Sequence, residues 1–209
     1  AVSTPDTPDA VAATLAALPD SIARGNGRAY GDSALNPDGV ISSARLSHLL
    51  AFDDATGPLT CEAGVLPGDI TDALLPRGWF APVTPGTRFV TVGGMVATGL
   101  SGPSRAAMGS VRDYVLGMTL LTGKAEVLSF GGQVMKNVAG YDVARMVTGS
   151  LGILGIICEV SLKVMPTPSY TSTLRFDCSE GEALDLMQRW AGQPLPVNAT
   201  AWWQCALVV

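Results

Sequence analysis

Residues 24–32 read Arg24-Gly25-Asn26-Gly27-Arg28-Ala29-Tyr30-Gly31-Asp32, the densest glycine pattern near the N-terminus. Three glycines in seven residues allow the backbone to adopt positive φ and to approach a ligand closely. Successive backbone N–H groups in such a turn can converge on an anion, and two arginines add cationic donors. The stretch therefore indicates a phosphate or pyrophosphate loop, although a tight surface turn explains the glycine spacing equally well.

Two common phosphate loops do not match this stretch. Its glycines miss the spacing G-x-G-x-x-G by one residue, and no G-x-x-x-x-G-K-[ST] occurs in the chain. The stretch instead resembles the pyrophosphate loop of the FAD-binding oxidoreductases of the vanillyl-alcohol oxidase type, which reads Arg-Gly-x-Gly-x-Ser/Ala-Tyr/Phe-Gly-Asp after a strand. Covalent members of that family attach the flavin to a histidine in this loop, where Arg28 stands here, so the resemblance implies non-covalent FAD. It also implies that the loop wraps the FAD diphosphate through Arg24, Gly25, Asn26, Gly27, Arg28, Ala29 and Tyr30.

A second glycine-rich stretch covers residues 85–101, Pro-Gly-Thr-Arg-Phe-Val-Thr-Val-Gly-Gly-Met-Val-Ala-Thr-Gly-Leu-Ser. Alone, it indicates a buried turn followed by a helix. It is similar to the family segment P-G-T-x-x-x-T-V-G-G-x-x-A, which lies against the isoalloxazine and the diphosphate. A later strand of the family contacts adenine through backbone atoms. The resemblance therefore implies further cofactor contacts at Gly86, Thr91, Val92, Gly93, Gly94, Thr98, Gly99, Leu100, Ser101 and Ile157.

Composition restricts the class of protein. Of the 209 residues 47% are hydrophobic and 15% charged, which predicts a buried core and excludes intrinsic disorder. A net charge of −5 lacks the basic footprint of a nucleic-acid binder, so no nucleic-acid partner is expected. The four cysteines are too widely spaced for a metal site, and neither a signal peptide nor a transmembrane segment is visible. We therefore expect a cytoplasmic protein with reduced, buried thiols.

Hydrophobic periodicity and turn residues predict an α+β fold. Asp6 or Thr7 can cap the first helix, and Asp142 can cap a later one. Helices are predicted over 5–19, 67–75, 142–148 and 180–190, and strands over 21–23, 40–41, 49–53, 59–63, 114–121, 125–130, 170–176 and 199–209, with a glycine turn from 149 feeding another strand that ends at 164.

Several single residues admit competing interpretations. His48 is the only histidine, and nothing nearby in sequence orients it as a base, so we expect a structural or solvent-facing role. Lys136 either stabilises a negative reduced flavin or a substrate carboxylate, or belongs with Asn137 and Tyr141 to a polar cluster that only caps a helix. Three tryptophans are predicted to be core anchors: Trp190, Trp202 and Trp203.

The resemblance covers about residues 5–205 and implies a PCMH-type FAD-binding domain over 1–168. Two α/β subdomains, about 1–80 and 81–168, would hold FAD between them, and residues 169–209 would begin an α/β cap domain that this chain covers in part. The first half is closest to the decaprenylphosphoryl-ribose oxidase and sugar-oxidase branch. The second half is closest to the FAD-binding E subunit of bacterial glycolate oxidase, through Phe-Gly-Gly-x-Val-Met-Lys-Asn-Val-Ala-Gly-Tyr-Asp at 130–142.

The family implies an FAD-dependent oxidoreductase that moves a hydride from an alcohol carbon to flavin, with a 2-hydroxy acid such as glycolate as the first substrate. Two alternatives stay open. One is a sugar, aldonolactone or decaprenylphosphoryl-ribose type oxidase. The other is a non-catalytic FAD-binding subunit, inactive alone, whose partners are a second flavin subunit and an iron–sulfur subunit. No catalytic base is predicted, because the family's substrate-facing residues lie mostly outside the segment matched here.

Overall fold

The computed structural model describes residues 1–132 and 142–209, whose strands form four sheets of three, two, three and five strands. Short 3₁₀ turns lie at Leu75–Arg77 and Val111–Asp113. In chain order the elements are β1 (Val2–Ser3), α1 (Pro8–Ala17), β2 (Ser21–Arg24), β3 (Gly39–Ser42), β4 (Leu49–Phe52), β5 (Pro58–Glu62), α2 (Pro67–Leu74), β6 (Trp79–Phe80), α3 (Val92–Thr98), α4 (Arg105–Met108), β7 (Val115–Leu121), β8 (Val127–Gly131), α5 (Val143–Val147), β9 (Ile156–Lys163), β10 (Met165–Pro166), β11 (Arg175–Asp177), α6 (Glu180–Ala191), β12 (Ala201–Trp203) and β13 (Ala206–Val208).

The N-terminal sheet is parallel, in the order β1-β3-β2. Parallel neighbours need a crossover, and α1 lies on the path between β1 and β2. Thr7 caps this helix by accepting a hydrogen bond from the Ala10 N–H at 3.2 Å, and Pro8 occupies the first turn, where its missing N–H is harmless. The predicted opening helix and its Thr7 cap are therefore confirmed.

The largest sheet is antiparallel, in the order β4-β5-β9-β7-β8. Side chains alternate between its two faces. Leu59 on β5 and Val160 on β9 point into the main core. Thr60 and Ser161 lie on the other face, where their hydroxyl groups share a 2.9 Å hydrogen bond. Helices α2, α3 and α5 contribute buried side chains to the same core. The core therefore lies between one face of this sheet and three helices.

A second, smaller core joins the N-terminal sheet to one end of the large sheet. Helix α1 and strand β3 supply apolar side chains from one side, and β7 and β9 supply them from the other. This packing brings the residues that follow β2 close to the first residues of β9. The buried members are Val11, Leu15, Ile41, Leu46, Leu121, Ile156 and Cys158.

The C-terminal sheet is antiparallel, in the order β11-β13-β12. Helix α6 carries a Ser179 capping box, and Trp190 on its last turn lies 5.6 Å from Phe176 between ring centroids. The predicted single strand over 199–209 is wrong. Gln204 and Cys205 adopt positive φ (48° and 60°) and reverse the chain, so the segment is the hairpin β12–β13. The strand predicted over 170–176 is also shorter, since only β11 forms.

Of the expectations for single residues, those for His48 and Asp142 agree with the structure and the one for Trp203 does not. The His48 side chain is largely exposed, and its Nδ1 lies 2.8 Å from Glu62 Oε2, which agrees with a structural role. Asp142 caps α5 by accepting from the Arg145 N–H at 3.1 Å, as predicted. Trp203 is 72% exposed, so its assignment to the core is wrong. The proposed cluster residues Lys136, Asn137 and Tyr141 lie outside the described residues.

The four thiols are free, but they are not alike. Burial, with a smaller contribution from neighbouring glutamates, raises the pKa of Cys61 to about 12 and that of Cys158 to about 11. Cys178 is half-buried and Cys205 is exposed, so the expectation of four buried thiols is wrong for this pair. The difference follows from the hairpin, whose turn carries Cys205 to the surface.

Candidate functional site

The glycine loop begins where β2 ends. The Ser43 N–H donates to the Arg24 carbonyl at 2.9 Å, which is the last backbone bond between the two segments before the loop leaves the sheet. The carboxyl ends of parallel strands are the usual place for ligands in open α/β sheets. The predicted anion loop therefore starts at the edge where a ligand is expected.

A cleft of about 410 Å³, partly open to solvent, lies beside the first residues of this loop. Four segments that are distant in sequence form its walls: the end of β2, the residue after β3, helix α3, and the turn that leads into β9 with the first residues of that strand. The lining residues are Ala23, Arg24, Gly25, Ser43, Gly93, Gly94, Ala97, Leu151, Gly152, Gly155, Ile156 and Ile157.

The backbone donors of the loop are not used within the described part of the chain. None of the N–H groups of residues 25–31 donates a hydrogen bond to another described residue. Side chains hold the loop instead: Asn26 Nδ2 donates to the Phe89 carbonyl at 2.9 Å, and the Arg28 guanidinium lies 5.7 Å from the Phe89 ring centroid. A row of amides is thus available for an acceptor such as phosphate.

Two cations belong to the same loop. Neither Arg24 nor Arg28 forms a salt bridge with any carboxylate in the described ranges. The Arg24 guanidinium lies over Gly27, where an added Cβ would come within 2.5 Å of its Nη2, and Gly27 itself has φ of 65°. Both the backbone shape and the arginine packing therefore require glycine at this position.

Gly25 and Gly93 are required by packing within the protein. A Cβ on Gly25 would lie 2.2 Å from Thr91 Oγ1, and one on Gly93 would lie 2.8 Å from the Ala63 Cβ. Thr91 is buried and caps α3, because its hydroxyl accepts from the Gly94 N–H at 3.1 Å. These close approaches let the glycine loop, α3 and the residue after β5 meet around the cleft.

The chemistry of these walls suits a nucleotide diphosphate joined to flat rings. The Arg24 guanidinium on the wall and the amides of the adjoining loop, which donate to no other described residue, match phosphate oxygens, while Ala97, Ile156 and Ile157 offer apolar surface. The turn before β9 adds more exposed backbone, since Gly152 has φ of 80° and nothing within 4 Å of its Cβ position.

The predicted cofactor residues therefore fall into two groups. Five of them line the cleft: Arg24, Gly25, Gly93, Gly94 and Ile157. The rest do not. Tyr30 is 98% exposed, and Gly86 has open space around it. The others are the exposed loop residues Asn26, Gly27, Arg28 and Ala29, the helix-cap residues Thr91 and Val92, and the residues that end α3, namely Thr98, Gly99, Leu100 and Ser101.

Sequence reasoning missed part of the wall. Ala23 and Ser43 carry no motif signal of their own, and Ala97, although it is the last position of the second family segment, is not among the predicted contacts. Leu151, Gly152 and Gly155 lie in the glycine turn that is predicted only to lead into a strand. Positive φ at Leu151, Gly152 and Gly155 folds this turn against α3, where the Leu151 N–H donates to the Ala97 carbonyl at 2.7 Å. The density of glycines between 149 and 155 was the available signal.

Across residues 1–132 and 142–209, no group of three or more His, Cys, Asp or Glu side chains is arranged to hold a metal ion. Within the same residues, no helix combines the length and the apolar character needed to span a bilayer.

Comparisons with known proteins agree with the motifs. Residues 1–131 match the family model described as FAD binding domain. The chain is 42% identical over 161 residues to the glycolate oxidase subunit GlcE of Escherichia coli, covering 76% of this chain and 46% of that protein. It is 37% identical to the decaprenylphosphoryl-beta-D-ribose oxidase of Mycolicibacterium smegmatis, covering 70% of this chain and 31% of the oxidase. The chain thus spans less than half the length of these relatives.

A solved structure shows the same fold. The alkyldihydroxyacetonephosphate synthase structure aligns with a TM-score of 0.76 and 20% identity, covering 90% of this chain and 36% of the synthase. This agreement, together with the family match, confirms the predicted α+β PCMH-type fold. The domain boundaries at 80 and 168 stay predictions. The chain belongs to the FAD binding domain family, within the vanillyl-alcohol oxidase type to which its two glycine motifs pointed, and FAD is its cofactor.

Proposed function

We propose that this chain is the FAD-binding part of an oxidoreductase that oxidises the CH–OH carbon of a 2-hydroxy acid. The carrying observation is the cleft beside the glycine loop, where the loop amides and arginines have neither an acceptor nor a carboxylate partner among the described residues. Relatives named glycolate oxidase subunit, D-lactate dehydrogenase and D-2-hydroxyglutarate dehydrogenase support a 2-hydroxy acid, with glycolate first.

The roles of the residues follow from their chemistry. The amides of residues 25–30 and the guanidinium groups of Arg24 and Arg28 hold the diphosphate. Gly93, Gly94 and Ala97 form a wall against which a flat ring can lie, and Ile157 offers its backbone to the adenine. Bound FAD supplies the hydride acceptor, whereas the protein supplies binding and orientation. The cofactor is held non-covalently, because no histidine stands in the loop.

A second candidate is a sugar or decaprenylphosphoryl-ribose type oxidase. The Mycolicibacterium relative supports it, since it is 37% identical to this chain over 149 residues, against 42% over 161 residues for the glycolate oxidase subunit. A third is a cytoplasmic FAD-binding subunit that is inactive alone and passes electrons to a second flavin subunit and an iron–sulfur subunit. The word subunit in the name of the Escherichia coli relative supports this arrangement.

Cofactor affinity tests the site. Arg24→Met removes a charged donor, and a hydrogen bond to a charged group is worth about 1.5–3 kcal/mol, so the FAD Kd should rise about 10- to 100-fold. The wild-type Kd should also rise with salt, and the variant should show a weaker salt dependence. Arg189→Met, an exposed arginine on α6, is the matched control. Equal Kd values for the two variants would remove Arg24 from the site.

A second pair of variants tests the cleft itself. Ala97→Leu extends a side chain from α3 into the cleft, whereas Ala13→Leu makes the same change on the exposed face of α1. We expect weaker FAD binding only for Ala97→Leu, with both thermal unfolding midpoints close to wild type. Turnover of glycolate, D-lactate and sugar alcohols, with and without added partner subunits, then separates the three candidate functions.

A further inference from the structure

Two cysteines that the cofactor chemistry does not use face each other across β11 and β13. These strands are antiparallel, with Asp177 opposite Ala206, so Cys178 and Cys205 are the next opposed pair. Their backbones are joined, since the Cys178 N–H donates to the Cys205 carbonyl at 3.0 Å. Opposed residues of a hydrogen-bonded antiparallel pair have Cα atoms roughly 5.5 Å apart, and disulfides typically span about 4.4–6.8 Å between Cα atoms.

The local structure holds this pair in place. The Trp202 indole N–H donates to the Cys178 carbonyl at 3.2 Å, which ties the end of β11 to β12 as well as to β13. Cys205 occupies the second position of the two-residue turn after Trp203, with φ of 60°. Such turns favour asparagine and glycine, so turn geometry alone gives no reason for a cysteine there. Its position opposite Cys178 does give such a reason, because a cysteine there can form a disulfide with Cys178.

The two thiols also differ from the other pair in access. Cys205 is exposed and Cys178 half-buried, whereas Cys61 and Cys158 are fully buried. Burial and neighbouring glutamates raise the pKa of both buried thiols, which keeps them protonated and unreactive at neutral pH. Of the four thiols, those of Cys178 and Cys205 are therefore the ones that can react with a reagent in solution.

We propose that Cys178 and Cys205 form a reversible disulfide that closes the segment containing α6 into a loop. The oxidant is a small-molecule disulfide such as oxidised glutathione. The exposed Cys205 thiolate attacks one glutathione sulfur and releases one glutathione thiolate, which takes up a proton. The Cys178 thiolate then attacks the Cys205 sulfur, forms the intramolecular bond and releases the second glutathione. Two protein thiols are oxidised, and one glutathione disulfide is reduced to two thiols.

Peptide mapping of the oxidised chain tests this assignment without any variant. The full chain is incubated with oxidised glutathione, blocked with an alkylating reagent, unfolded and labelled with a second reagent. We expect one cross-linked peptide pair containing residues 178 and 205, lost on reduction, with the second label only on Cys61 and Cys158. A glutathione adduct at Cys205 without a cross-link, a link to Cys61 or Cys158, or a link between chains would each overturn the proposal.

Single variants supply the control. Cys178→Ser should leave Cys205 as a stable glutathione adduct. Cys205→Ser should lose the cross-link, and its Cys178 should form a glutathione adduct more slowly than Cys205 does in Cys178→Ser. The oxidised wild-type chain should resist proteolysis within residues 178–205 more than its reduced form or either variant does. An equal cleavage rate in all four samples would contradict a bond that constrains this segment. FAD affinity plays no part in these readouts.

Discussion

Gly25→Ala offers a direct test of how the glycine loop meets helix α3. The new Cβ would lie 2.2 Å from Thr91 Oγ1 and 3.2 Å from the Thr91 Cβ and Cγ2. Thr91 is buried, so its hydroxyl can escape only by leaving the Gly94 N–H that it caps. Overpacking costs about 1–3 kcal/mol, and a lost N-cap costs about 1 kcal/mol. The expected destabilisation is therefore about 2–4 kcal/mol for the apo chain.

A double-mutant cycle separates the clash from other effects. Thr91→Ala alone loses the cap and should cost about 1–2 kcal/mol. It also removes the oxygen that the new methyl group would strike, so the double variant should unfold close to Thr91→Ala. The coupling free energy should therefore match the cost of Gly25→Ala alone, about 2–4 kcal/mol, which lies at the upper end of the range for residues in contact.

Urea unfolding of the apo chain, followed by circular dichroism, measures these differences. Gly86→Ala is the matched control, because the Cβ position of Gly86 has nothing within 4 Å, and its effect should stay within about 0.5 kcal/mol. Additive effects in the cycle, or a Gly25→Ala variant as stable as wild type, would refute the contact between the loop and α3. The assignment of Arg24 to the same cleft wall would fall with it.

Three further predictions concern other parts of the chain. Ser179→Ala removes the capping box of α6 and should lower the free energy of unfolding by about 1 kcal/mol, measured by urea titration. Hydrogen bonds from the Thr56 hydroxyl and the Ala55 N–H lower the Asp53 pKa below its ordinary 3.8. Asp53 thus stabilises the β4–β5 turn above that pH and loses this effect as pH falls through the lowered pKa; Asp53→Asn should flatten the acid dependence, and an unchanged profile would contradict it. Alkylation of the native chain at pH near 8 should leave Cys61 and Cys158 unlabelled, because their pKa values are about 12 and about 11; rapid labelling of either would show that its strand opens.

Much of the fold was accessible from local patterns. The caps at Thr7 and Asp142 and the strands on either side of the β4–β5 turn carry signals within a few residues. The hairpin β12–β13 could not be predicted in this way, because Gln204 and Cys205 adopt positive φ without glycine or asparagine. Trp203 shows a second limit: its hydrophobicity predicts burial, but it lies on the exposed face of β12, opposite the half-buried Trp202.

The residues of the cleft could be predicted only in part, because its walls come from four distant segments. Motif resemblance located Arg24, Gly25 and Gly93. Leu151 joins Ala97 on the cleft wall because a backbone hydrogen bond between these two residues holds the turn before β9 against α3. That bond depends on positive φ at Leu151, where the residue type gives no hint of it. Conversely, Tyr30 belongs to the motif but is exposed and does not line the cleft.

The motif glycines therefore carry two separable requirements. Gly25 and Gly93 are needed because neighbouring protein atoms occupy the space of a side chain, so variants there should reduce stability and FAD affinity together. Arg24 and Ala97 line the cleft, so variants there should reduce FAD affinity while leaving the unfolding midpoint close to wild type. Sequence similarity alone cannot distinguish these groups, because one motif spans both. If Arg24→Met proved as destabilising as Gly25→Ala, its guanidinium would serve mainly to pack over Gly27, and the diphosphate would depend on the loop amides.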